Sequence, residues 1–411
     1  MMKTALEGVK VLDLSWSLTG LLISKYLADH GAEVVWIESR AHPDVTRTNP
    51  PYRDGKAHPD HCAFASTALT SRFSFGLNMT KPGARETSER LIQWADIFVQ
   101  SLRSGVLKEW GIAYEQISQW KPELIMLSIS IYGQTGPRGG VAGWGYHTQG
   151  FQGLPYFTGD RDLPGVSVPL AFSDVSTPWL AVSALMAALD YRRKTGKGQH
   201  IDFSQIEAGL HFIPGHHLLD FSLNEREYER KGNHCDYACP HAVYPCRGDD
   251  RWCAITIFSD QEWEALCHGM GDPNWTKEEK FSTLRERKAH EEELDSHIGE
   301  WTRKFPPEEV MHLLQASGVP CGVVQNCADL MDNDPQLGYR QYWRKLSRPG
   351  LGECAHPAWP VRLSQTPYKL RPTPRFGEHT EYICKEYLNM SEQEINSLKE
   401  EGVLEFGYEP S

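Results

Sequence analysis

The sequence predicts an α/β protein, with a large domain built on an open, mostly parallel sheet and a smaller α+β domain after it. Two observations predict this fold class. From residue 9 to about residue 200, apolar strand-like segments alternate with segments of helical spacing. From about residue 225 the composition changes, and Cys, His and aromatic residues become frequent. Parallel strands need crossover helices between them, so the alternation favours βαβ units.

The chain begins with one such unit. VKVLDL (9–14) has the composition of a buried strand, and residues 20–29 carry apolar side chains at helical spacing. The pair His30-Gly31 is typical of a helix end. AEVVWIE (32–38) is apolar almost throughout, as expected for a parallel strand that is covered on both faces.

The pattern then repeats along the chain. We expect a strand at 73–79, a helix at 83–95, a strand at 96–102 and a strand that runs into a glycine loop within 121–133. Thr177 followed by Pro178 predicts an N-cap and the start of a helix. That helix should end at Gly196, and residues 200–208 should begin as a strand.

The smaller domain comes next in the chain. Residues 259–317 look helical and charged, and GVPCGVVQN (318–326) returns to an apolar strand pattern. The rest of the chain holds several prolines and one predicted helix, at 391–402. We therefore expect the large domain to begin with 1–224, the small domain to span 225–330, and 331–411 to return to the large domain.

Charge and composition exclude several functional classes. The 411 residues include 42 Lys and Arg against 54 Asp and Glu, a net charge of −12, so nucleic acid and anionic membranes are not expected as partners. The start, MMKTALEGVK, lacks the apolar core of a signal peptide. The ten cysteines are scattered, which favours reduced thiols and a cytoplasmic protein.

The first turn raises a question about the ligand. A strand, a turn and a helix, with Glu38 ending the second strand, are typical of dinucleotide-binding domains. Such domains need three glycines in the turn, but residues 15–20 contain only Gly20. An NAD-dependent dehydrogenase is therefore disfavoured.

Two features suggest chemistry at the carboxyl edge of the sheet. Asp174 lies just ahead of the helix that begins at Pro178, and spacing alone favours a solvated loop acid or a capping residue over a functional carboxylate. Four cations lie near the ends of the first strands, where ligands bind in open α/β sheets, and together they suggest phosphate binding. They are Arg40, Arg47, Arg72 and Arg103.

A metal site is not expected. The region 234–253 contains two histidines and four cysteines, but no Cys-x-x-Cys pair occurs and the gaps are irregular. We interpret this region as a loop-rich cap over a pocket.

Several stretches, taken in order, resemble a known family. They are LEGVKVLDLS (6–15), LADHGAEVVWIE (27–38), ADIFVQSLRSGVLKEWGI (95–112), KPELIMLSISIYGQTGP (121–137), SD (173–174), ALDYRRKTGKGQHIDFSQIEA (188–208), and GVPCGVVQN (318–326) with DNDPQL (332–337). The family is that of the class III coenzyme A (CoA) transferases, which includes formyl-CoA transferase, carnitine CoA-transferase and the related α-methylacyl-CoA racemase.

The resemblance implies a large Rossmann-like domain and a small domain, in two chains that interlock as a dimer, with the active site between domains at the dimer interface. It implies no permanently bound cofactor, because CoA or acyl-CoA is the substrate. Positions that match the family's CoA site are Trp16, Ser17, Leu18, Thr19, Leu69, Arg72, Ser101 and Leu102. At two further basic positions the chain has Ser39 and Glu109, and we expect the adjacent Arg40 and Lys108 to substitute.

Asp174 matches the family's catalytic aspartate. The resemblance implies that it attacks the donor thioester to give a mixed anhydride, is converted to an aspartyl-CoA thioester, and passes CoA to the acceptor acid. Two departures concern its surroundings. Pro178 stands where the family often has glycine, and residues 231–240, which correspond to the glycine-rich lid of formyl-CoA transferase, contain only Gly232.

Other functions on the same fold stay open at this point. An α-methylacyl-CoA racemase would need a histidine base, and the matching position here is Tyr146, with His147 adjacent. The chain could also be one subunit of a two-chain transferase, so we expect either a homodimer or a heteromer with a related subunit. The substrates are an acyl-CoA donor and a carboxylic acid acceptor. Abundant aromatic residues and the Asp-x-Ser-Thr-Pro pattern suggest an aromatic succinate, with succinyl-CoA as the donor.

Overall fold

The computed structural model describes residues 3–169, 171–212 and 215–408. The chain divides into two compact units. The first unit comprises Met1–Leu154, Ser167–Glu225 and Tyr339–Ser411, and the second comprises Pro155–Val166 and Arg226–Gly338. Compared with the division expected from the sequence, residues 155–166 and 331–338 fall in the second unit, because their backbone contacts are made there.

Twelve strands are formed by the described residues. They are β1 Lys10–Leu14, β2 Glu33–Glu38, β3 Phe73–Leu77, β4 Ile97–Gln100, β5 Ile125–Ser130, β6 Gln199–Ser204, β7 His241–Pro245, β8 Trp252–Thr256, β9 Cys321–Val324, β10 Trp343–Arg348, β11 Gly352–Pro357 and β12 Leu404–Glu405.

The same residues form nineteen α-helices. They are α1 Leu18–Asp29, α2 Val45–Thr48, α3 Phe64–Ala68, α4 Ala84–Trp94, α5 Val106–Glu109, α6 Tyr114–Trp120, α7 Gly145–Phe151, α8 Leu154–Phe157, α9 Phe172–Ser176, α10 Pro178–Thr195, α11 Gln205–Phe212, α12 Gly215–Asn224, α13 Asp260–Gly269, α14 Leu284–Ala289, α15 Glu291–Thr302, α16 Pro307–Ala316, α17 Pro335–Tyr339, α18 Thr380–Glu386 and α19 Glu392–Glu400. Short 3₁₀ turns occur at Arg53–Gly55, Pro59–His61, Asn274–Lys277 and Glu279–Phe281, and a π turn at Asp329–Asn333.

The first unit is built on a seven-stranded sheet in the order β12-β3-β2-β1-β4-β5-β6. Strands β1 to β6 pair in parallel, and β12 joins the edge at β3 in antiparallel direction. The predicted α/β class with a large, mostly parallel sheet is thus confirmed. The sheet order reverses at β1, whose neighbours β2 and β4 lead to opposite edges, and open α/β sheets bind ligands at such a point.

Both faces of this sheet are covered, which explains the apolar composition of its strands. One face packs against α4 and α18 through residues such as Phe75, Phe98 and Ile383. The other packs against α1 and α10 through residues such as Ile23, Leu127 and Leu185. The β10–β11 hairpin also belongs to this unit.

Helix α10 begins differently from the sequence-based expectation. Thr177 has helical backbone angles and does not act as a side-chain N-cap; its hydroxyl donates to the carbonyl oxygen of Ser173 instead. The reason is that α9 already brings the chain into a helical path, so α9 and α10 follow one another almost without a break. The helical stretch Phe172–Thr195 is long enough and apolar enough to cross a membrane, by length and composition only. Half of its most apolar 18-residue part is buried inside the fold. This burial explains its apolar character, and such a helix is weak evidence for a span.

The second unit is built around the antiparallel sheet β7-β8-β9, with α13, α15 and α16 contributing to its core. Ser259 and Glu262 form a capping box at the start of α13. Cys239, Cys246, Cys253, Cys267 and Cys321 lie within this hydrophobic core, where they pack as small apolar side chains. The Cys- and His-rich segment therefore contributes packing to the second unit.

Candidate functional site

Hydrogen bonds to side chains hold the turn between β1 and α1 in place, and its single glycine, Gly20, allows close packing against Ser15. A Cβ added at Gly20 would lie 2.2 Å from Ser15 Oγ, so any larger residue would push this turn apart. Buried Asp13 accepts a hydrogen bond from the backbone N–H of Ser15 at 2.9 Å. Ser17 has φ 76° and ψ 165°, a backbone region that costs a non-glycine residue about 1–3 kcal/mol, and its N–H donates to Asp44 at 2.8 Å.

Asp174 lies on α9 and is almost completely buried, with 7% of its surface exposed. One carboxylate oxygen, Oδ1, accepts hydrogen bonds from the Thr19 hydroxyl and from the Gln205 side-chain amide, each at 3.1 Å. The same amide also donates to the Thr19 hydroxyl oxygen, so the three side chains form a closed triangle. Burial raises the pKa of Asp174 above its usual range, while the two neutral donors partly oppose that shift.

The second oxygen, Oδ2, is in a different environment. It accepts no hydrogen bond from the residues that the structure describes, and it faces Gly145, the first residue of α7. A Cβ added at Gly145 would lie 2.6 Å from Oδ2 and 2.2 Å from the Cβ of Ala171. Only glycine therefore lets the backbone approach the carboxylate this closely, so the two oxygens of Asp174 are chemically distinct.

A buried polar network supports the triangle. The Ser173 hydroxyl donates to Gln152 Oε1 at 2.8 Å, and the Gln152 amide donates to the backbone carbonyl of Gln205 at 2.8 Å. A Cβ at Gly209 would lie 2.0 Å from Gln152 Nε2, so this glycine leaves room for the amide. A buried network whose polar groups are hydrogen-bonded to one another fixes the positions of its side chains, and this network fixes Gln205.

Asp174 opens onto a cavity of about 160 Å³ at the carboxyl ends of β1, β4 and β5. Five of the residues predicted from the sequence line it together: Trp16, Ser17, Thr19, Ser101 and Asp174. Trp16 and Ser101 are tied to each other, because the Trp16 N–H donates to Ser101 Oγ at 2.9 Å and that hydroxyl donates to the Trp16 carbonyl at 2.6 Å. Other lining residues are Arg103, Ile129, Ser130, Ile131, Val141, Ala142, Gly143, Trp144, Gly145 and Gln205.

Arg72 is not available to a phosphate, which corrects the expectation for this residue. Its side chain has 0% exposure, and its guanidinium pairs with Asp13 at 3.1 Å. It also donates to the backbone carbonyls of Leu21 and Ala68, both at 2.8 Å. Burial lowers the pKa of Arg72 and raises that of Asp13, so the pair is a desolvated structural ion pair beneath the β1–α1 turn.

The remaining predicted CoA residues lie outside this cavity. Leu69 and Leu102 are buried in hydrophobic clusters, and Leu18 packs against one of them. Arg40 is exposed, but its guanidinium lies 4.8 Å from the Tyr408 ring and 5.2 Å from the Phe376 ring, so its faces are engaged within the chain. Lys108 is exposed on α5. For these residues a role in CoA binding stays a prediction.

Glu38 and Arg47 also have internal roles. The Arg47 guanidinium contacts both oxygens of Glu38, at 2.5 and 2.8 Å, and contacts Asp60 at 3.2 Å. Glu38 is buried, so it does not present a carboxylate to a ribose. Of the four cations expected at the strand ends, only Arg103 lines the cavity.

Tyr146 and His147 lie outside the cavity that Asp174 lines. Tyr146 is 56% exposed, and His147 uses Nδ1 to accept a hydrogen bond from the backbone N–H of Trp144 at 3.0 Å. Neither lines the cavity. The geometry therefore does not favour a racemase with a base at this position.

Sequence reasoning missed two residues of the site, Gln205 and Gly145, and left a third, Arg103, without a specific role. Gln205 comes directly after β6, where its side chain gives no motif. Gly145 is one of four glycines within residues 139–145, and the sequence does not distinguish it from the others. Arg103 was recognised as a cation after a strand, but it was not assigned to the CoA site. The signal that could have found Arg103 and Gln205 is their position directly after or near the carboxyl ends of parallel strands.

Comparisons with known proteins identify the family of this chain. Residues 6–380 match the family model for CoA-transferase family III. The succinyl-CoA–D-citramalate CoA-transferase of Chloroflexus aurantiacus is 28% identical over 400 residues, covering 97% of this chain and 98% of that protein. The human succinyl-CoA:glutarate CoA-transferase is 28% identical over 404 residues, covering 97% of this chain and 90% of that protein.

A solved structure supports the same assignment. The crystal structure of a CaiB/BaiF family protein from Brucella suis has a TM-score of 0.85 and 28% sequence identity, covering 94% of this chain and 100% of that one. The family match spans nearly the whole chain, and the fold and the order of the motifs agree with it. The chain belongs to CoA-transferase family III and is an enzyme of the CoA-transferase type.

Proposed function

We propose that this enzyme transfers CoA from succinyl-CoA to a second carboxylic acid, with Asp174 as the nucleophile. The observation that carries the proposal is the asymmetry of the buried carboxylate. Oδ1 is held by two donors, whereas Oδ2 is left without a hydrogen bond among the described residues, beside the cavity. A carboxylate that forms covalent intermediates needs one such free oxygen.

The proposed reaction proceeds in four steps. Oδ2 attacks the thioester carbonyl of succinyl-CoA, and the C–S bond breaks. CoA departs as the thiolate, and a mixed anhydride between succinate and Asp174 remains. The thiolate attacks Cγ of Asp174 and expels succinate, which gives an aspartyl-CoA thioester. The acceptor carboxylate attacks Cγ and expels the thiolate. The thiolate then attacks the acceptor carbonyl, which forms the new thioester and restores the carboxylate.

Burial supports this chemistry in two ways. It raises the pKa of Asp174, and a more basic carboxylate is a better nucleophile as long as it stays ionised. It also keeps bulk water from an anhydride that would otherwise be hydrolysed.

The substrate class is argued from charge and size. Relatives of this chain are named for transfer between succinyl-CoA and citramalate or glutarate, which are diacids. Arg103 is the cation that lines the cavity, and its guanidinium has no hydrogen-bond or ion-pair partner in the described part of the chain. We propose that it binds the distal carboxylate of a diacid in a bidentate pair.

An aromatic succinate is a second candidate acceptor. The cavity of about 160 Å³ compares with engineered cavities of about 150 Å³ that bind benzene. A cavity of this size would therefore hold a phenyl group, but the acceptors for which the relatives are named are short aliphatic diacids. Small diacids are therefore the preferred acceptors, and benzylsuccinate remains in the set to be tested.

The test is a mass-spectrometric screen of acceptors with succinyl-CoA as donor. We expect new CoA thioesters with small diacids, and hydroxylamine should convert Asp174 to a hydroxamate in the presence of donor alone. Label on another residue, or CoA transfer without any trapped species, would contradict the aspartyl mechanism. A preference for benzylsuccinate over all aliphatic diacids would support the aromatic candidate.

Arg103→Gln tests the role of the cation. Because a hydrogen bond to a charged group contributes about 1.5–3 kcal/mol, kcat/KM for a diacid acceptor should fall by about 10- to 150-fold. The value for a monocarboxylic acid of equal chain length should change little. Arg103→Lys keeps the positive charge but cannot form the bidentate pair, so its loss of kcat/KM for the diacid should be smaller than that of Arg103→Gln. An equal loss for both acids would refute specific recognition of the distal carboxylate.

For the assembly, we propose that two chains work together in the cytoplasm, as two copies or as one copy with a related subunit. Two relatives are named as the alpha and beta subunits of a succinyl-CoA–L-malate CoA-transferase, which supports pairing with a related subunit.

A further inference from the structure

We propose that Thr19 and Gln205 form the oxyanion site for the two steps that take place at Cγ of Asp174. The proposal rests on the proposed function, because it concerns the same aspartyl intermediates. It adds two catalytic residues and predicts that Oδ1 and Oδ2 have different fates during turnover.

The geometry carries the proposal. Both donors converge on the same oxygen, at 3.1 Å each, and both come from side chains that are at least nine-tenths buried. They are contributed by α1 and α11, two helices that also contact α9. Gln205 is in turn fixed through its backbone carbonyl by Gln152. The donors are therefore positioned before any substrate arrives, which is the condition for electrostatic stabilisation of a transition state.

The chemistry explains why donors on Oδ1 matter. In the mixed anhydride, Oδ2 bridges to the acyl group, and Oδ1 is the carbonyl oxygen on Cγ. When CoA thiolate attacks Cγ, the C=O π pair moves onto Oδ1 as an oxyanion. Collapse breaks the Cγ–Oδ2 bond, and succinate leaves with Oδ2. When the acceptor carboxylate attacks the aspartyl thioester, the charge again develops on Oδ1, and the C–S bond breaks. In both steps the negative charge appears where the Thr19 hydroxyl and the Gln205 amide already point.

A consequence is that the Oδ2 position is replaced in each turnover, whereas Oδ1 stays with the protein. The oxygen that enters comes from the acceptor carboxylate. If the donors prevent the carboxylate from rotating, only one oxygen of Asp174 exchanges, however many turnovers occur.

The first experiment uses variants of the full-length enzyme. Gln205→Leu and Thr19→Val should each slow formation of the Asp174–CoA thioester from succinyl-CoA by about 10²–10³-fold, measured in single turnovers without acceptor. Gln149→Leu is the matched control, since Gln149 is a buried glutamine of α7 outside the cavity, and its rate should equal that of the wild type. Unchanged thioester formation in both Gln205→Leu and Thr19→Val would overturn the proposal.

The second experiment does not depend on the folding of any variant. Wild-type enzyme is cycled with succinyl-CoA and a diacid whose carboxylates carry heavy oxygen, and the peptide that contains Asp174 is weighed. We expect one heavy oxygen in Asp174, and two would show free rotation and overturn the proposal. Transfer activity with no heavy oxygen, or no transfer at all, would instead refute the proposed function itself, so the two failures are distinguishable.

Discussion

Replacing Asp174 with alanine is expected to lower the transfer rate by at least about 10⁴-fold, because no other described group in the cavity can form the anhydride. Asp174→Asn keeps the shape of the side chain and should be equally inactive, because an amide is a poor nucleophile. The measurement is CoA transfer from succinyl-CoA to a diacid that the wild-type enzyme accepts. Neither variant should trap a hydroxamate at this position.

Binding should survive these substitutions. The CoA contacts that we propose for this cavity come from residues such as Trp16 and Ser101, whose mutual hydrogen bonds do not involve the Asp174 carboxylate. Isothermal titration with free CoA should therefore give a Kd no weaker than that of the wild type. Transfer at the wild-type rate by Asp174→Asn would exclude a covalent aspartyl intermediate.

Replacing Arg72 with methionine is expected to lower the free energy of unfolding by about 3–5 kcal/mol. The substitution leaves Asp13 buried with 0% exposure and without its cation. Since whole proteins are stable by about 5–15 kcal/mol, this loss is a large fraction of the total. Urea denaturation measures it directly.

Two further variants test whether the unpaired charge on Asp13 causes this loss of stability. Asp13→Asn combined with Arg72→Met removes both charges, and part of the lost stability should return. Arg85→Met breaks an exposed pair with Glu89 and should cost less than about 1 kcal/mol. A phosphate ligand would behave in the opposite way: Arg72→Met would weaken CoA binding and leave the free energy of unfolding unchanged.

The sequence was sufficient to predict the sheet, for physical reasons. Parallel strands that are buried on both faces need continuous apolar segments such as VKVLDL and AEVVWIE, and those segments are visible without a structure. The alternation with helices then leaves few topologies. The start of α10 was harder to predict, because a Thr-Pro pair looks the same whether or not a preceding turn is already helical.

The site was predictable only in part. Asp174 and the turn at Trp16–Thr19 were found because the sequence resembles a known family at these positions, and the structure brings them together at one cavity. The role of Arg72 could not be read from the sequence, since a cation before a strand can face a ligand or be buried under a turn, and here Asp13 decides the outcome. Gln205 could not be found either, because its contact with Asp174 joins residues that are 31 positions apart and depends on how α9 and α11 pack.

The short strand β12 has a consequence for biosynthesis. It pairs with β3 through Leu404 and Glu405, and the carbonyl of Glu405 approaches Gly76 so closely that an added Cβ would lie 2.1 Å from it. While the polypeptide is being translated, that edge of the sheet lacks its neighbour until the ribosome has delivered the second unit and nearly all of the C-terminal segment of the first. An unpaired strand edge attracts other nascent chains. Over this interval the β3 edge is open to pairing with other chains, and the pairing of Leu404 and Glu405 with β3 closes it.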